Sequence, residues 1–358
     1  VLLFSAGRSI TLEAPMDPVR FGLVGYGYGG RYFHAPLIAS AAGCELVAVV
    51  TSSAQRRALV GQEHPDARSV ASLEELLTLG VEAVAISTPA DTHSALTEQA
   101  LGLGLAVVCD KPFAMDATAA GGTVELAERL GLALTPYQNR RYDSDFLTVR
   151  RLVEDGTLGT VTRLESRFER YAPASGPSAS GGGTLLDFGS HLVDQALTLL
   201  GPVTHVYAEH RVRESGLDDD VFLALSHLSG AQSHLSGGWR QFAPGPRFRV
   251  TGTEATFILE RGDTQEDQLV AGRTPNPTSD GWGVEPASAS GRLYRAAGAE
   301  EIVSQRGSWD AFYPAFAAAV RGGGPVPVEA RDAIATALVL DAAARSAAGG
   351  LVASPGAP

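Results

Sequence analysis

Between Val19 and about Leu134 the chain alternates short apolar runs with amphipathic stretches, and this alternation constrains the fold more than any other feature. The runs Arg20–Gly25, Glu45–Val50, Ala83–Ser87 and Ala106–Asp110 read as parallel strands buried on both faces. Helix signals separate them. Ser72-Leu73-Glu74-Glu75 has the form of a capping box for a helix through Leu79. Asp91 is placed to cap a helix through about Gly102, and Asp116 one through about Gly131. Repeated β-α units imply right-handed crossovers and an open, doubly wound α/β sheet.

The pattern changes after about Tyr142. A helix at Asp143–Asp155 precedes a strand at Val161–Tyr171, a Ser/Gly/Pro-rich loop at Ala174–Gly183 and an apolar helix at about Leu185–Leu200. Strand-like runs follow at Val203–Arg213, Asp220–Leu228, Ala231–Arg240, Arg247–Thr251 and Ala255–Glu260. Arg273–Gly291 reads as a long excursion, and Trp309–Arg321 and Glu329–Ala348 as closing helices. Consecutive strands joined by short turns predict a large, mostly antiparallel sheet in an α+β unit. The expected division is residues 1–16 as a disordered leader or tail, 17–140 as a dinucleotide-binding Rossmann domain, and 141–358 as a substrate-binding and oligomerisation domain. The leading VLLFSAGRSITLEAP lacks the basic n-region of a secretory signal, and Met16 is read as the natural start because Asp-Pro-Val-Arg and the first strand follow it directly.

Composition removes several classes. A formal charge of −12 argues against a broad nucleic-acid surface, and no apolar run reaches the roughly 18–20 residues needed to cross a bilayer. Two cysteines, Cys44 and Cys109, form no disulfide framework and join no His cluster at zinc-ligand spacing, so no metal site is expected. That cysteine usage fits a cytoplasmic protein.

The first predicted strand runs into Gly25-Tyr26-Gly27-Tyr28-Gly29-Gly30, and a helix can begin at Arg31. Glycines so placed permit a tight turn and close approach of backbone to a pyrophosphate at a helix N-terminus. In a chain with 41 glycines, a turn without a ligand is the alternative. The acid expected about 20 residues on, for the ribose 2′-hydroxyl, is missing. Thr51-Ser52-Ser53 stands there, followed by Arg56 and Arg57. Hydroxyls and guanidinium groups suit a 2′-phosphate, hence NADP with NAD as the lesser option; the alternative is that both arginines are solvated helix residues.

Three later segments carry chemistry. Thr88-Pro89, with His93 beyond, and Cys109-Asp110-Lys111-Pro112 end two of the strands, where ligands bind in such sheets. Lys111 there can hydrogen-bond ribose and a substrate hydroxyl, although a lysine alone is more often a surface residue. Gly181-Gly182-Gly183 precedes a helix on which Asp187, His191 and Asp194 form one polar stripe at i, i+4 and i+7. The carboxylate of Asp187 can orient or charge-stabilise the His191 imidazole, a sensible base for a hydroxyl proton. An Asp–His pair that merely satisfies a buried helix is the alternative.

Together these segments resemble the glucose–fructose oxidoreductase/inositol dehydrogenase (Gfo/Idh/MocA) family from Val19 onward, with Asp-Lys-Pro where the family has Glu-Lys-Pro. Phe33-His34-Ala35-Pro36, the run Gln138–Asp143 and Trp282-Gly283-Val284-Glu285-Pro286 are most similar to its NADP-dependent scyllo-inositol dehydrogenase-like branch. The resemblance implies a Rossmann domain and a second domain whose open sheet mediates a homodimer or homotetramer. It implies that Lys111 and His191 act on a secondary alcohol or ketone of a sugar or cyclitol with Asp187 as their partner, and that Asn139 and Arg140 face cofactor or substrate. The shorter Asp110 puts the family's ribose contact in doubt. Two other readings use the same residues: a non-catalytic dinucleotide- or sugar-binding regulator, and a nicotinamide-dependent glycosidase.

Overall fold

The computed structural model describes residues 17–275 and 281–356; the expected leader and part of the Arg273–Gly291 excursion lie outside them. The first sheet is parallel throughout. Its strands are β1 (Val19–Val24), β2 (Cys44–Val50), β3 (Arg68–Val70), β4 (Ala83–Ile86), β5 (Ala106–Cys109) and β6 (Leu134–Pro136), in the order β3-β2-β1-β4-β5-β6. β4 and β5 are buried along their whole length, as near-continuous apolar sequence requires of strands covered on both faces. The chain reverses its winding between β1 and β4, which opens a crevice at the carboxyl ends of those strands. Two short strands, β3 and β6, were not expected from apolar runs: each is three residues long, and Arg68-Ser69-Val70 is mostly polar.

The crossover helices are α1 (Ala35–Ser40), α2 (Ala54–Glu63), α3 (Leu73–Leu77), α4 (His93–Gly102) and α5 (Ala117–Leu130). Asp116 caps α5 as expected, accepting from Ala119 N at 2.8 Å, and Gly131 ends it in the left-handed conformation. Two start signals differ. Ser72 sits at the N-cap of α3 but makes no side-chain cap bond, and the helix stops at Leu77. Asp91 lies inside a 3-10 turn, Ala90–Thr92, so that Thr92 becomes the N-cap of α4.

After α6 (Ser144–Glu154) the chain builds an eight-stranded sheet. Its members are β7 (Val161–Glu169), β8 (Val203–Val212), β9 (Asp218–His227), β10 (Gln232–Gly238), β11 (Phe248–Gly252), β12 (Thr256–Leu259), β13 (Gly291–Arg295) and β14 (Gly298–Ile302). The order is β14-β13-β12-β11-β7-β10-β9-β8, antiparallel except for β10 against β7. Burial alternates residue by residue along β9, so one face carries the core and the other is open. Two helices cover the core face: α7 (Thr184–Leu200) through Leu185, Phe188, Leu192 and Ala196, and α10 (Ala330–Gly349) through Val339, Leu340 and Ala343.

The closing helices return to the first sheet. Phe312, Tyr313 and Phe316 of α9 (Phe312–Val320) pack with Phe21, Leu37 and Trp309. Ala333 and Ala337 of α10 pack with Val124 and Ala127 of α5. One further helix, α8 (Gln265–Val270), was not expected. It places Glu266 beside the crevice.

Candidate active site

Each glycine of the turn has a distinct job. Gly25 has φ +98°, and a Cβ there would overlap the Ser87 carbonyl. A Cβ on Gly30 would overlap the carbonyl of Gly25, and one on Gly29 would lie 2.7 Å from Ser87 Oγ and 3.0 Å from Asp110 Oδ2. Around Gly27 there is nothing within 4 Å. Three glycines thus let the chain pack against itself, and one leaves backbone open to a ligand. The helical run opens at Tyr28, passes through a π-helical turn at Gly30–His34 and continues as α1. An open glycine directly before free helix N–H groups fits the pyrophosphate of a dinucleotide. Tyr28 stands exposed at the cleft. The Tyr26 side chain, in contrast, is buried, and its hydroxyl donates to Glu63 at 2.7 Å; from the expected set, it brings only backbone to the turn.

At the end of β2, Thr51 is buried. Ser53 Oγ caps α2 by accepting from Arg56 N at 3.3 Å. Arg57 donates to the carbonyls of Thr51 and Ser52 at 3.2 and 2.9 Å. The Arg56 side chain is exposed, with no ion pair or hydrogen bond among the described residues. Two guanidinium groups therefore flank the position of the missing acid, one of them already holding the loop.

The ends of β4 and β5 meet the turn from the other side. Thr88 Cγ2 lies beside Gly25, and Pro89, exposed, leads into the 3-10 turn. Asp110 accepts from Ser87 Oγ at 2.9 Å and from Lys111 N at 2.8 Å, and its Oδ2 is 3.2 Å from Nε2 of the fully buried His34. Burial alone would raise the Asp110 pKa. The charges of His34, Lys111 and His93 outweigh burial and hold the carboxyl well below its usual range. His93 is not at the cleft, contrary to expectation. It is 1% exposed, and its two ring nitrogens face carbonyl oxygens, Nδ1 to Pro112 O at 2.7 Å and Nε2 to Thr88 O at 2.9 Å. Only an imidazolium donates through both nitrogens. Burial opposes that charge, but Cys109, Asp110 and the Pro112 carbonyl prevail and push the pKa up to about 9. His93 thus ties together the two segments around Lys111, whose bond to Pro112 is cis.

Lys111 Nζ donates to Asp187 Oδ1. This changes the expected pairing on α7: Asp187 turns to the lysine instead of to His191. Asp194 leaves the stripe altogether and is bound by Arg141 at 2.8 and 2.6 Å, outside the cleft. His191 is oriented by a residue with no role in the expected site, Gln138, whose Oε1 lies 3.1 Å from Nδ1. The Gln138 amide nitrogen donates to Ser190 O at 3.3 Å, so Oε1 is the acceptor and the proton sits on Nδ1. His191 Nε2 is left without a protein partner among the described residues. Burial first, then the charges of Lys111, Arg140 and Arg247, hold the imidazole pKa well below 6.5, so it is neutral at pH 7.

These groups share a cleft of about 660 Å³ between the two sheets, lined by Lys111, Asn139, Arg140, Asp187 and His191 with Tyr28, Phe33, Asp110 and Tyr137 on the first side. On the second side stand Phe168, Arg170, Phe188, Trp239 and Glu266, none of them among the expected residues. Arg140 donates to Glu266 at 2.7 Å, lies 3.3 Å from Asp143 Oδ2 and stacks over Phe168. The Asn139 amide has no protein partner among the described residues. Gln138 and His34 stood inside segments that carried the resemblance, which was their only signal. Glu266 sits on a six-residue helix with no apolar periodicity to announce it.

Comparison with known proteins agrees with this architecture. Residues 19–138 match the oxidoreductase family with an NAD-binding Rossmann fold, and residues 146–258 match the GFO/IDH/MocA C-terminal domain. The chain is 33% identical to the scyllo-inositol 2-dehydrogenase (NADP(+)) IolW of Bacillus subtilis, over 92% of this chain and 94% of the relative. It is 29% identical to an inositol 2-dehydrogenase of Rhizobium meliloti, over 92% of this chain and 97% of the relative. The solved structure of the oxidoreductase yvaA from Bacillus subtilis superposes with a TM-score of 0.87 at 32% identity, covering 94% of this chain and 99% of that one. With both sheets and the glycine crevice accounted for, the protein belongs to the Gfo/Idh/MocA family of oxidoreductases.

Proposed function

We propose that this chain oxidises a secondary alcohol of a sugar or cyclitol, or reduces the corresponding ketone, using a nicotinamide dinucleotide with NADP preferred. The observation that carries the reading is the convergence of Lys111, Asp187 and a neutral, unpartnered His191 Nε2 on one cleft beside the open Gly27. When bound, the nicotinamide supplies the two-electron acceptor or donor. The protein supplies geometry and proton transfer. The Lys111 ammonium, fixed by Asp187, donates to the substrate oxygen and stabilises negative charge developing there. His191 Nε2 accepts the hydroxyl proton, and Gln138 keeps its other nitrogen protonated and the ring in place. Phe168, Phe188 and Trp239 exclude water from one wall of the cleft.

The NADP preference rests on Thr51 in place of an acid, on Ser52, Ser53 and Arg56 around it, and on the name of the IolW relative. The open face of the eight-stranded sheet carries half-buried Phe222, Ala224, His234 and Ile258, a mixed surface suited to a homodimer or homotetramer, to be read by light scattering.

A panel of inositols and aldoses assayed with NADP⁺ and NAD⁺ tests the activity. Reduction of NADP⁺ by at least one polyol is expected, with loss of at least about a hundredfold in His191→Ala. Near-normal turnover by that variant refutes its role as base. Arg56→Ala is expected to raise KM for NADP⁺ more than for NAD⁺, and a native preference for NAD⁺ ends the NADP reading.

A further inference from the structure

The charged groups of the cleft are paired with one exception among the described residues. Lys111 is held by Asp187, Arg140 by Glu266 and Asp143, and Asp110 by Ser87, Lys111 N and His34. Arg170 lines the same cleft at its exposed side and makes no ion pair among the described residues, although its charge helps to lower the pKa of Glu266 across the cleft. Its backbone is nevertheless fixed just beyond β7: Arg170 N donates to Gly238 O at 2.9 Å, and its carbonyl accepts from Gln241 N at 3.2 Å. Its guanidinium carbon rests 5.1 Å from the ring centres of both Phe188 and Trp239, which stack on one another at 4.6 Å. A guanidinium resting beside aromatic rings without an ion pair retains N–H donors, and its planar fork matches a carboxylate bidentately. Phe188 follows Asp187 directly and lies one turn from His191 on α7, and Arg170 lines the same cleft as both reacting groups.

We propose that the natural substrate is an anionic polyol, a sugar acid whose carboxylate is held by Arg170 while its hydroxyl faces Lys111 and His191. The inference rests on the redox reading of the cleft and narrows its substrate class. A carboxylate is favoured over a phosphate ester because one unpaired guanidinium compensates one charge. A phosphate carries about −1.5 to −2 at pH 7, and the other two cations are already engaged.

Binding separates this inference from the chemistry. The full-length protein, with and without NADP⁺, is titrated with D-gluconate against D-glucitol, with D-glucuronate against D-glucose and with glucose 6-phosphate, following tryptophan fluorescence. In each pair the acid is expected to bind at least about tenfold tighter, the order of a charged bidentate contact. That preference should collapse toward one in Arg170→Met, which keeps an apolar stem on the Phe188–Trp239 shelf. Equal binding of acid and neutral partner, no binding of either, a preference that survives in Arg170→Met, or tighter binding of the phosphate overturns the proposal. NADPH formation is recorded in parallel. Acid-selective binding without turnover sinks the redox reading and leaves this inference standing, whereas turnover of neutral polyols without charge preference does the reverse.

Discussion

Replacing His93 with Gln tests whether a buried cation holds the lysine segment in place. In the folded chain both ring nitrogens donate, and the pKa stands at about 9 against an ordinary 6.5. The difference of roughly 2.5 units corresponds to about 3 kcal/mol at 1.36 kcal/mol per unit. Because the folded pKa is the higher one, that stabilisation is complete below pH 6.5. It declines as pH rises toward 9 and is nearly gone above it. Glutamine fills similar space but carries no charge and supplies one donor group, so its packing cost is the same at every pH. Urea unfolding of wild type and His93→Gln at pH 6 and pH 9.5 isolates the charge, since other titrating groups cancel in the difference. The variant is expected to be less stable by about 3 kcal/mol more at pH 6 than at pH 9.5. A deficit equal at the two pH values refutes the imidazolium and with it the two-carbonyl tie.

Further outcomes follow from the geometry and from the lowered pKa of His191. Gly27→Ala should fold normally, because nothing lies within 4 Å of the added methyl, yet weaken dinucleotide binding by about tenfold or more through lost backbone approach. Gly30→Ala, whose Cβ overlaps the Gly25 carbonyl, should also lower the unfolding midpoint, by an overpacking cost of about 1–3 kcal/mol; calorimetry with and without cofactor separates the two. Gln138→Leu leaves the buried His191 Nδ1–H without an acceptor, so kcat/KM should fall about ten- to hundredfold with KM for the cofactor unchanged. In wild type, kcat/KM should stay level through pH 7 and drop only on the acid side of 6.5, because His191 is neutral above its lowered pKa; a drop centred at pH 7 or higher contradicts this. Arg247→Met removes bonds to Asp145, Ser166 and Gln195 at 3.0, 2.6 and 2.9 Å and strands a buried carboxylate. Denaturant titration should show a loss of about 3–5 kcal/mol, less when Asp145→Asn accompanies it.

The parts of this fold that were legible in the sequence are those whose burial is uniform. β1, β2, β4 and β5 are covered on both faces, so composition alone marks them, with ends read to within a residue or two. β13 and β14 were missed for the opposite reason. They form the outer edge of the second sheet, and the edge strand Gly298–Ile302 is exposed along most of its length, so it needs no apolar alternation. α8 was missed because its six residues, Gln265–Val270, carry no apolar periodicity.

The site divides along a different line. Lys111, Asp187 and His191 could be named because strand ends and helix faces are local properties, and the three do meet in one cleft. Their partners were legible only in part, since the resemblance implied Asp187 for both Lys111 and His191, and partnership is decided by which distant segment arrives. Asp187 faces His191 one turn away, yet it binds Lys111 from 76 positions earlier. An aspartate side chain is short. On a helix, Cβ leans toward the N-terminus, carrying the carboxylate away from the following turn and out toward the strand end where Lys111 sits. His191 then needs another acceptor, and Gln138, brought in behind β6, supplies it. His93 shows the same rule in reverse. Its position after Thr88-Pro89 suggested a ligand, but two backbone carbonyls claim it, and its charge is spent on holding Lys111 in place. A sequence therefore locates the groups able to do chemistry, while the tertiary pairing decides which of them keeps a free lone pair or forms no ion pair; in the cleft, among the described residues, those are His191 Nε2 and Arg170.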